Sequence, residues 1–265
     1  MTRQRGSVGN FDASVKTTEK HDRPLRFHGG VRRAAVVLSE ALRRTARLLP
    51  GAYWVYLLEA ASTFQLCCCT HELKLLGETL KLEVSVALTI TYTMTMIHLR
   101  RATPGALESV CRGRSSVKAA GILIGCQFAA GFAAQFFAAS VWSLGLSEVH
   151  IKHQRFGFRC FDPLGGTLIE AAAVELGCAF FVQAAAMHVH KLDEKLRAHF
   201  IAAAITVAVY AGGSVSGAVF NPVLAFSVQF PCSGHSYPEY CFVYWLGPVL
   251  GKEDQKQGKL FSRLK

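Results

Sequence analysis

Beyond residue 48 the chain alternates between long apolar runs and short polar breaks. Tyr53 to Cys69 is the first run, and Val84 to Leu99, rich in β-branched residues, is the second. Ala119 to Leu144 is the longest, 26 residues without a formal charge. Leu164 to Val189 follows, then Phe200 to Ala211, and a last run opens near Tyr240. A helix that crosses a hydrocarbon core of roughly 30 Å needs about 20 apolar residues. The third and fourth runs meet that length alone, and the others must recruit flanking polar residues. The pattern predicts an all-α membrane protein built from spanning helices.

One run is broken in an unusual way. GGSVSGAVFNPVLAFSVQF extends from Gly212 to Phe230 and holds Asn221, one of only two asparagines in the chain, directly before Pro222. Asn then Pro is an ordinary signal for a helix N-cap followed by the first helical residue. At membrane depth it says more, because non-helical backbone there must be buried by protein or line a wet cavity. A short helix entering from one face brings its partial positive charge to the midplane. Two such ends from opposite faces raise a barrier to protons and cations while leaving a path for neutral solutes. Asn221 is therefore a candidate pore residue as well as a cap, with Pro222, Val223 and Leu224 beside it. Gly213 and Gly217 allow a tight turn or close helix packing.

Charge placement changes the picture next. Formal net charge is +11, which on a soluble chain would raise nucleic acid as a partner. Here the charge lies mostly outside the apolar runs, so the expected partner is a lipid bilayer and not nucleic acid. With both termini in the cytosol, 24 of the 29 Lys and Arg residues fall on the cytosolic side, and 13 of 18 do so without the N-terminal arm. That is the positive-inside bias of a multi-pass membrane protein. Residues 1–48 read as a basic cytosolic arm with a short amphipathic piece near its end, 49–251 as the membrane domain, and 252–265 as a polar basic tail. The opening stretch lacks an apolar core, so no cleaved leader is expected. Hydrophobic residues make up 51% and charged residues 18% of the chain, the latter below the roughly 25% of a soluble domain.

An internal repeat organises the runs. Leu57-Leu58-Glu59-Ala60-Ala61 recurs as Leu168-Ile169-Glu170-Ala171-Ala172. A carboxylate inside a spanning helix is expensive and is usually paired or functional. The Asn-Pro stretch has a counterpart in Ala102-Thr103-Pro104. Three helices separate the two glutamates, so the halves should run in opposite senses. That inverted repeat is the layout of many transport proteins.

On these residues the chain resembles the aquaporin family across residues 50–251. Gly217-Ala218-Val219-Phe220-Asn221-Pro222-Val223 matches its second signature loop. Gly125-Cys126-Gln127, with Gly131, is similar to its third helix, and Trp245-Leu246-Gly247-Pro248, with Gly251, to the start of its sixth. The stretches TFQLCCCTHELKLL and VYAGGSVSGAVFNP are closer still to a divergent intracellular branch. The resemblance implies an inverted repeat with two re-entrant half-helices, and Glu59, Glu170 and Gln127 supporting the signature loops. It also implies a homotetramer in the endoplasmic reticulum membrane, passing water and small neutral solutes such as glycerol or hydrogen peroxide. No catalysis, cofactor or metal is expected.

Three departures qualify the match. Thr103 and Pro104 stand where the first loop should carry Asn-Pro, and Arg100 and Arg101 precede them. Leu224 occupies the position at which tightly water-selective members carry Arg, which implies a wider, more apolar constriction. The last run, Tyr240 to Leu250, gives only ~17 Å of helix at 1.5 Å per residue, so the sixth helix reads as truncated. These departures motivate an alternative, a non-conducting isoform acting only as a structural or regulatory subunit.

Blander readings cover the remaining motifs. Cys67, Cys68 and Cys69 point about 100° apart on a helix and cannot converge on one metal. Nine cysteines without a Cys-x-x-Cys pair do not suggest a disulfide framework. His71-Glu72 lacks the second His of a zinc protease motif, because position 75 is Leu75. Gly121 and Gly125, like Gly247, are expected to pack helices closely.

Overall fold

The computed structural model describes residues 53–77, 82–100, 116–160, 164–230 and 232–250, together with parts of 33–48. Its helices are α1 (Tyr53–Gly77), α2 (Leu82–Arg100), α3 (Val117–Ser143), α4 (Glu148–Arg155), α5 (Leu168–His188), α6 (Glu194–Ser216), α7 (Pro222–Val228) and α8 (Tyr237–Cys241). The path of α8 continues through a π turn, Phe242–Leu246, and helical residues 247–250. Among the described residues there is no strand. Among the described residues three helices, α3, α5 and α6, are long and apolar enough to cross a membrane. Only 22–33% of their most apolar windows is buried inside the chain. Outward-facing Phe132, Phe136, Phe180 and Phe181 would be costly in water and suit lipid.

Local chemistry explains where these helices begin. Ser116 caps α3 by accepting from the Ala119 N–H, and Ser147 caps α4 by accepting from the His150 N–H. Thr167 and Glu170 form a reciprocal capping box on α5. The amphipathic piece expected in the N-terminal arm is helical over residues 33–38, with Ala35 fully buried.

The packing partners fall into two matching sets. Helix α1 packs on α2 and α3, while α5 packs on α6 and on the π turn after α8. Contact between α2 and α6 joins the sets, and α7 is held between α1, α3 and the final helix. The buried core runs through that junction and includes Cys67, Ala134, Ala171, Leu224, Ala225 and Tyr244.

The structure corrects the cysteine reading. Cys160 and Cys232 form a disulfide that ties the segment after α4 to the segment after α7. Nothing in their spacing of 72 residues marks the pair, because only the fold brings their Cα atoms to 4.7 Å. The bond lies at the end of the bundle that carries Lys74, whose Nζ is 3.7 Å from Cys232 Sγ. At the same end the buried Glu72 accepts from Trp142 Nε1 at 2.9 Å and pairs with His150 Nε2 at 3.3 Å. Residues 251–265 lie outside the described residues, and with them the expected truncation of the sixth helix.

Candidate functional site

The Asn-Pro stretch folds as a short helix whose two ends are finished by side chains from elsewhere. Asn221 has extended backbone, and its Oδ1 accepts from the Val223 N–H at 3.1 Å. Pro222 follows at the first helical position, where its missing N–H costs nothing. Seven residues are too few for a helix to persist by itself. The stability of α7 must come from its surroundings.

At the N-terminal side the chain reaches Asn221 through a tight reversal. Gly217, Ala218 and Phe220 all have positive φ, at 79°, 46° and 40°. Two of these are not glycine, and such conformations cost of order 1–3 kcal/mol each unless the surroundings enforce them. Glu175 provides the enforcement. Its Oε1 accepts from Val219 N–H at 2.9 Å and from Ser216 Oγ at 2.8 Å, and its Oε2 accepts from Phe220 N–H. Ser216 Oγ in turn accepts from the Ala218 N–H at 3.1 Å. Tyr244 Oη donates to the Ser216 carbonyl at 2.8 Å. The N–H groups of Ala218, Val219 and Phe220 are thus all bonded to the buried carboxylate or to the serine hydroxyl beside it.

The C-terminal carbonyls of α7 are equally well covered. Gln135 Nε2 donates to Phe226 O and Ser227 O, both at 2.9 Å. Lys74 Nζ donates to Val228 O at 3.2 Å and to Gln229 Oε1 at 2.7 Å. The Ala225 carbonyl accepts from the Gln229 and Phe230 N–H groups. A cation at a helix C-terminus also opposes the local partial negative charge. Ser227 Oγ donates to Gly131 O at 2.9 Å, which commits its one hydrogen. His71 Nε2, 3.1 Å away, is therefore the donor to that hydroxyl.

The sequence-derived candidates separate under this geometry. Asn221, Pro222, Val223 and Leu224 come together in α7, with Val223 and Leu224 buried. Gln127 donates to Glu59 Oε1 at 2.6 Å, joining α3 to α1. Glu170 is a correction: it is exposed, and its Oε2 accepts from the Thr167 N–H at 2.8 Å and the Thr167 hydroxyl at 2.9 Å. It closes a helix cap and does not touch the signature loop. The carboxylate that does is Glu175, five residues further along the same helix. Glycine roles divide too. At Gly247 an added Cβ would meet Ala172 O at 2.9 Å, so the final helix packs closely on α5 there. At Gly121, Gly125 and Gly213 it would meet nothing within 4 Å, so these do not seat a neighbouring helix within the described chain. Gly212 is the tight neighbour of Gly213: a Cβ added there would meet Val174 Cγ1 at 2.6 Å. Thr103 and Pro104 lie outside the described residues.

Several residues of the site had no signal of their own. Ser216, Gln135, His71 and Lys74 act on α7 from up to 156 positions away. Glu175 could have been found, since it too is a carboxylate inside an apolar run. A Thr-x-x-Glu spacing at Thr167 also marked Glu170 as a capping residue. Among the described residues no three His, Cys, Asp or Glu side chains are grouped to hold a metal.

Comparison with known proteins finds relatives of the chain's sequence. The chain is 36% identical over 224 residues to aquaporin-11 of Homo sapiens, covering 82% of this chain and 80% of that protein. It is 33% identical over 202 residues to aquaporin-11 of Mus musculus, covering 74% of each. Putative aquaporin-12B of Homo sapiens is 30% identical over 221 residues, with 82% and 74% covered. No family model matches the chain.

Proposed function

The chain belongs to the aquaporin family, and on that premise we propose that α7 lines a pore for water and small neutral solutes, glycerol and hydrogen peroxide among them. The observation that carries this reading is the construction around Asn221. Two non-glycine residues with positive φ are held by a buried glutamate so that a seven-residue helix begins inside the bundle. A fold that needed only a capped surface helix would have no use for that strain. The N-terminus of α7 supplies partial positive charge where cations must be refused. Leu224 leaves the constriction without the five N–H donors of an arginine. In this reading α7 is one of two re-entrant half-helices, the other being formed around Thr103 and Pro104.

The protein is further proposed to be a homotetramer in the endoplasmic reticulum membrane with both termini cytosolic. The charge bias supports that orientation. It also sets Cys160 and Cys232 on the side away from the cytosol, where a disulfide persists. Purified protein in vesicles tests the function by osmotic swelling. Permeability to water and glycerol should exceed that of empty vesicles, and folded protein without such a gain would overturn the reading. Asn221→Asp places a carboxylate at the positive end of α7. Solute flux should fall and proton or cation leak should rise, whereas an unchanged pair of values would reduce Asn221 to a cap.

A further inference from the structure

The two sulfurs of the Cys160–Cys232 disulfide have different surroundings. Cys160 follows α4 in a surface segment, where it is partly exposed and preceded by exposed Arg159. Its carbonyl accepts from the Ser233 N–H at 3.0 Å, and Ser233 and Gly234 are exposed as well. Cys232 lies just beyond α7 and is only 6% exposed. Its sulfur is 3.7 Å from Lys74 Nζ. That ammonium is fixed in place, because it also donates to Gln229 Oε1 and Val228 O. Access therefore favours one sulfur of the bond, and a cation attends the other.

We propose that Cys160 is a site of reversible modification by small thiols, with Cys232 as the leaving group. In disulfide exchange a thiolate attacks one sulfur, and the other departs with the electron pair of the broken bond. Here the incoming thiolate bonds to Cys160 Sγ as the bond to Cys232 Sγ breaks. The products are a mixed disulfide on Cys160 and a thiolate on Cys232. One sulfur–sulfur bond forms for the one that breaks, so the step needs no other oxidant or reductant. Two effects set its direction. Exposure favours attack at Cys160. Leaving-group stability favours loss of Cys232, because a lysine beside a thiolate stabilises it. Attack at Cys232 would have to reach a buried sulfur and would forgo that stabilisation. The Cys232 thiolate, kept beside Lys74, returns to Cys160 Sγ and expels the small thiol, which restores the bond. The site is independent of the solute path proposed above and stands whether or not the channel conducts.

The test uses the full chain in lipid nanodiscs, purified without reductant and treated briefly with reduced glutathione. Acid stops the exchange, and peptide mass mapping under acid locates the adduct. Reduced glutathione adds to a disulfide but not to a free thiol, and among the described cysteines only this pair is bonded. The adduct should sit on Cys160, with Cys232 recovered as a thiol. An adduct mainly on Cys232, or divided evenly, would overturn the assignment. So would a bond that stays closed at a glutathione concentration that opens an unhindered disulfide peptide. Lys74→Gln keeps a donor for α7 without the charge and should slow adduct formation about tenfold, while Lys74→Arg keeps a cation and should retain most of the rate. Loss of packing alone would expose the bond and speed the reaction, so the sign of the change separates charge from misfolding. An unchanged rate in folded Lys74→Gln would overturn the role given to Lys74. Should that variant fail to fold, the adduct map of the unsubstituted chain decides the direction of exchange without it.

Discussion

Glu59 in α1 and Glu175 in α5 are both buried carboxylates, the seventh and eighth residues of their helices. The bond between Glu59 and Gln127 differs in kind from those that Glu175 makes. Glu59 accepts from a side chain, Gln127 on α3. Glu175 accepts from two backbone N–H groups and a serine in a reversal with positive φ. A side-chain donor can rotate away or be replaced if its acceptor is lost. Backbone donors cannot move without changing the loop they belong to. The reversal before α7 should therefore depend more steeply on Glu175 than the contact between α1 and α3 depends on Gln127.

The largest effect should come from breaking that contrast directly. Glu175→Ala leaves two buried N–H groups and a hydroxyl unsatisfied, at about 1–3 kcal/mol each, and the reversal loses what holds its strain. Gln127→Ala removes one donor from Glu59 and should cost about 1–3 kcal/mol in all. Thermal unfolding in detergent, followed by circular dichroism, compares the two. Equal losses would mean that Glu175 is not the keystone of the reversal.

Packing beside Glu175 sharpens the same comparison. Gly247→Ala drives a methyl group toward Ala172 O at 2.9 Å and Glu175 Cβ at 3.3 Å. Overpacking of this kind costs typically about 1–3 kcal/mol. Gly121→Ala, in the other half, enters open space and should be neutral or stabilising by up to ~1 kcal/mol through helix propensity. Matching melting temperatures for the two variants would contradict the close approach at Gly247.

A functional variant probes the loop product instead of its support. Leu224→Arg adds a charge and five donors beside Asn221. Glycerol and peroxide uptake into vesicles should fall by more than water uptake. A uniform reduction in a folded protein would place Leu224 away from the constriction. The smallest effect is expected at Glu170. Glu170→Ala opens a solvent-exposed capping box, so the melting temperature should drop slightly and solute flux should stay as it was. A collapse of flux there would restore Glu170 to the loop and undo its distinction from Glu175.

Much of the helical plan was legible in the chain because hydrophobic length is a property of consecutive residues. The runs from Tyr53, Ala119 and Leu164 became α1, α3 and α5, and Asn221 with Pro222 marked the start of α7. The repeat was visible, but its register was misplaced. Leu-Leu-Glu-Ala-Ala and Leu-Ile-Glu-Ala-Ala match letter for letter in an alanine-rich context, and a five-residue match carries no information about depth in a helix. Position relative to the helix start decides whether a glutamate caps or is buried, and that start was fixed by Thr167.

By itself the sequence determined that apolar helices must pack in lipid and that a rare Asn-Pro begins a helix. These follow from interactions between residues a few positions apart or from summed composition. Only the tertiary structure decided that Glu175 holds the reversal, that Gln135, His71 and Lys74 finish α7, and that Cys160 meets Cys232. Each of those pairs residues many positions apart, whose meeting depends on how the helices pack. A seven-residue helix cannot stand without such partners, so the very element that the sequence announced most clearly owes its stability to contacts the sequence left open.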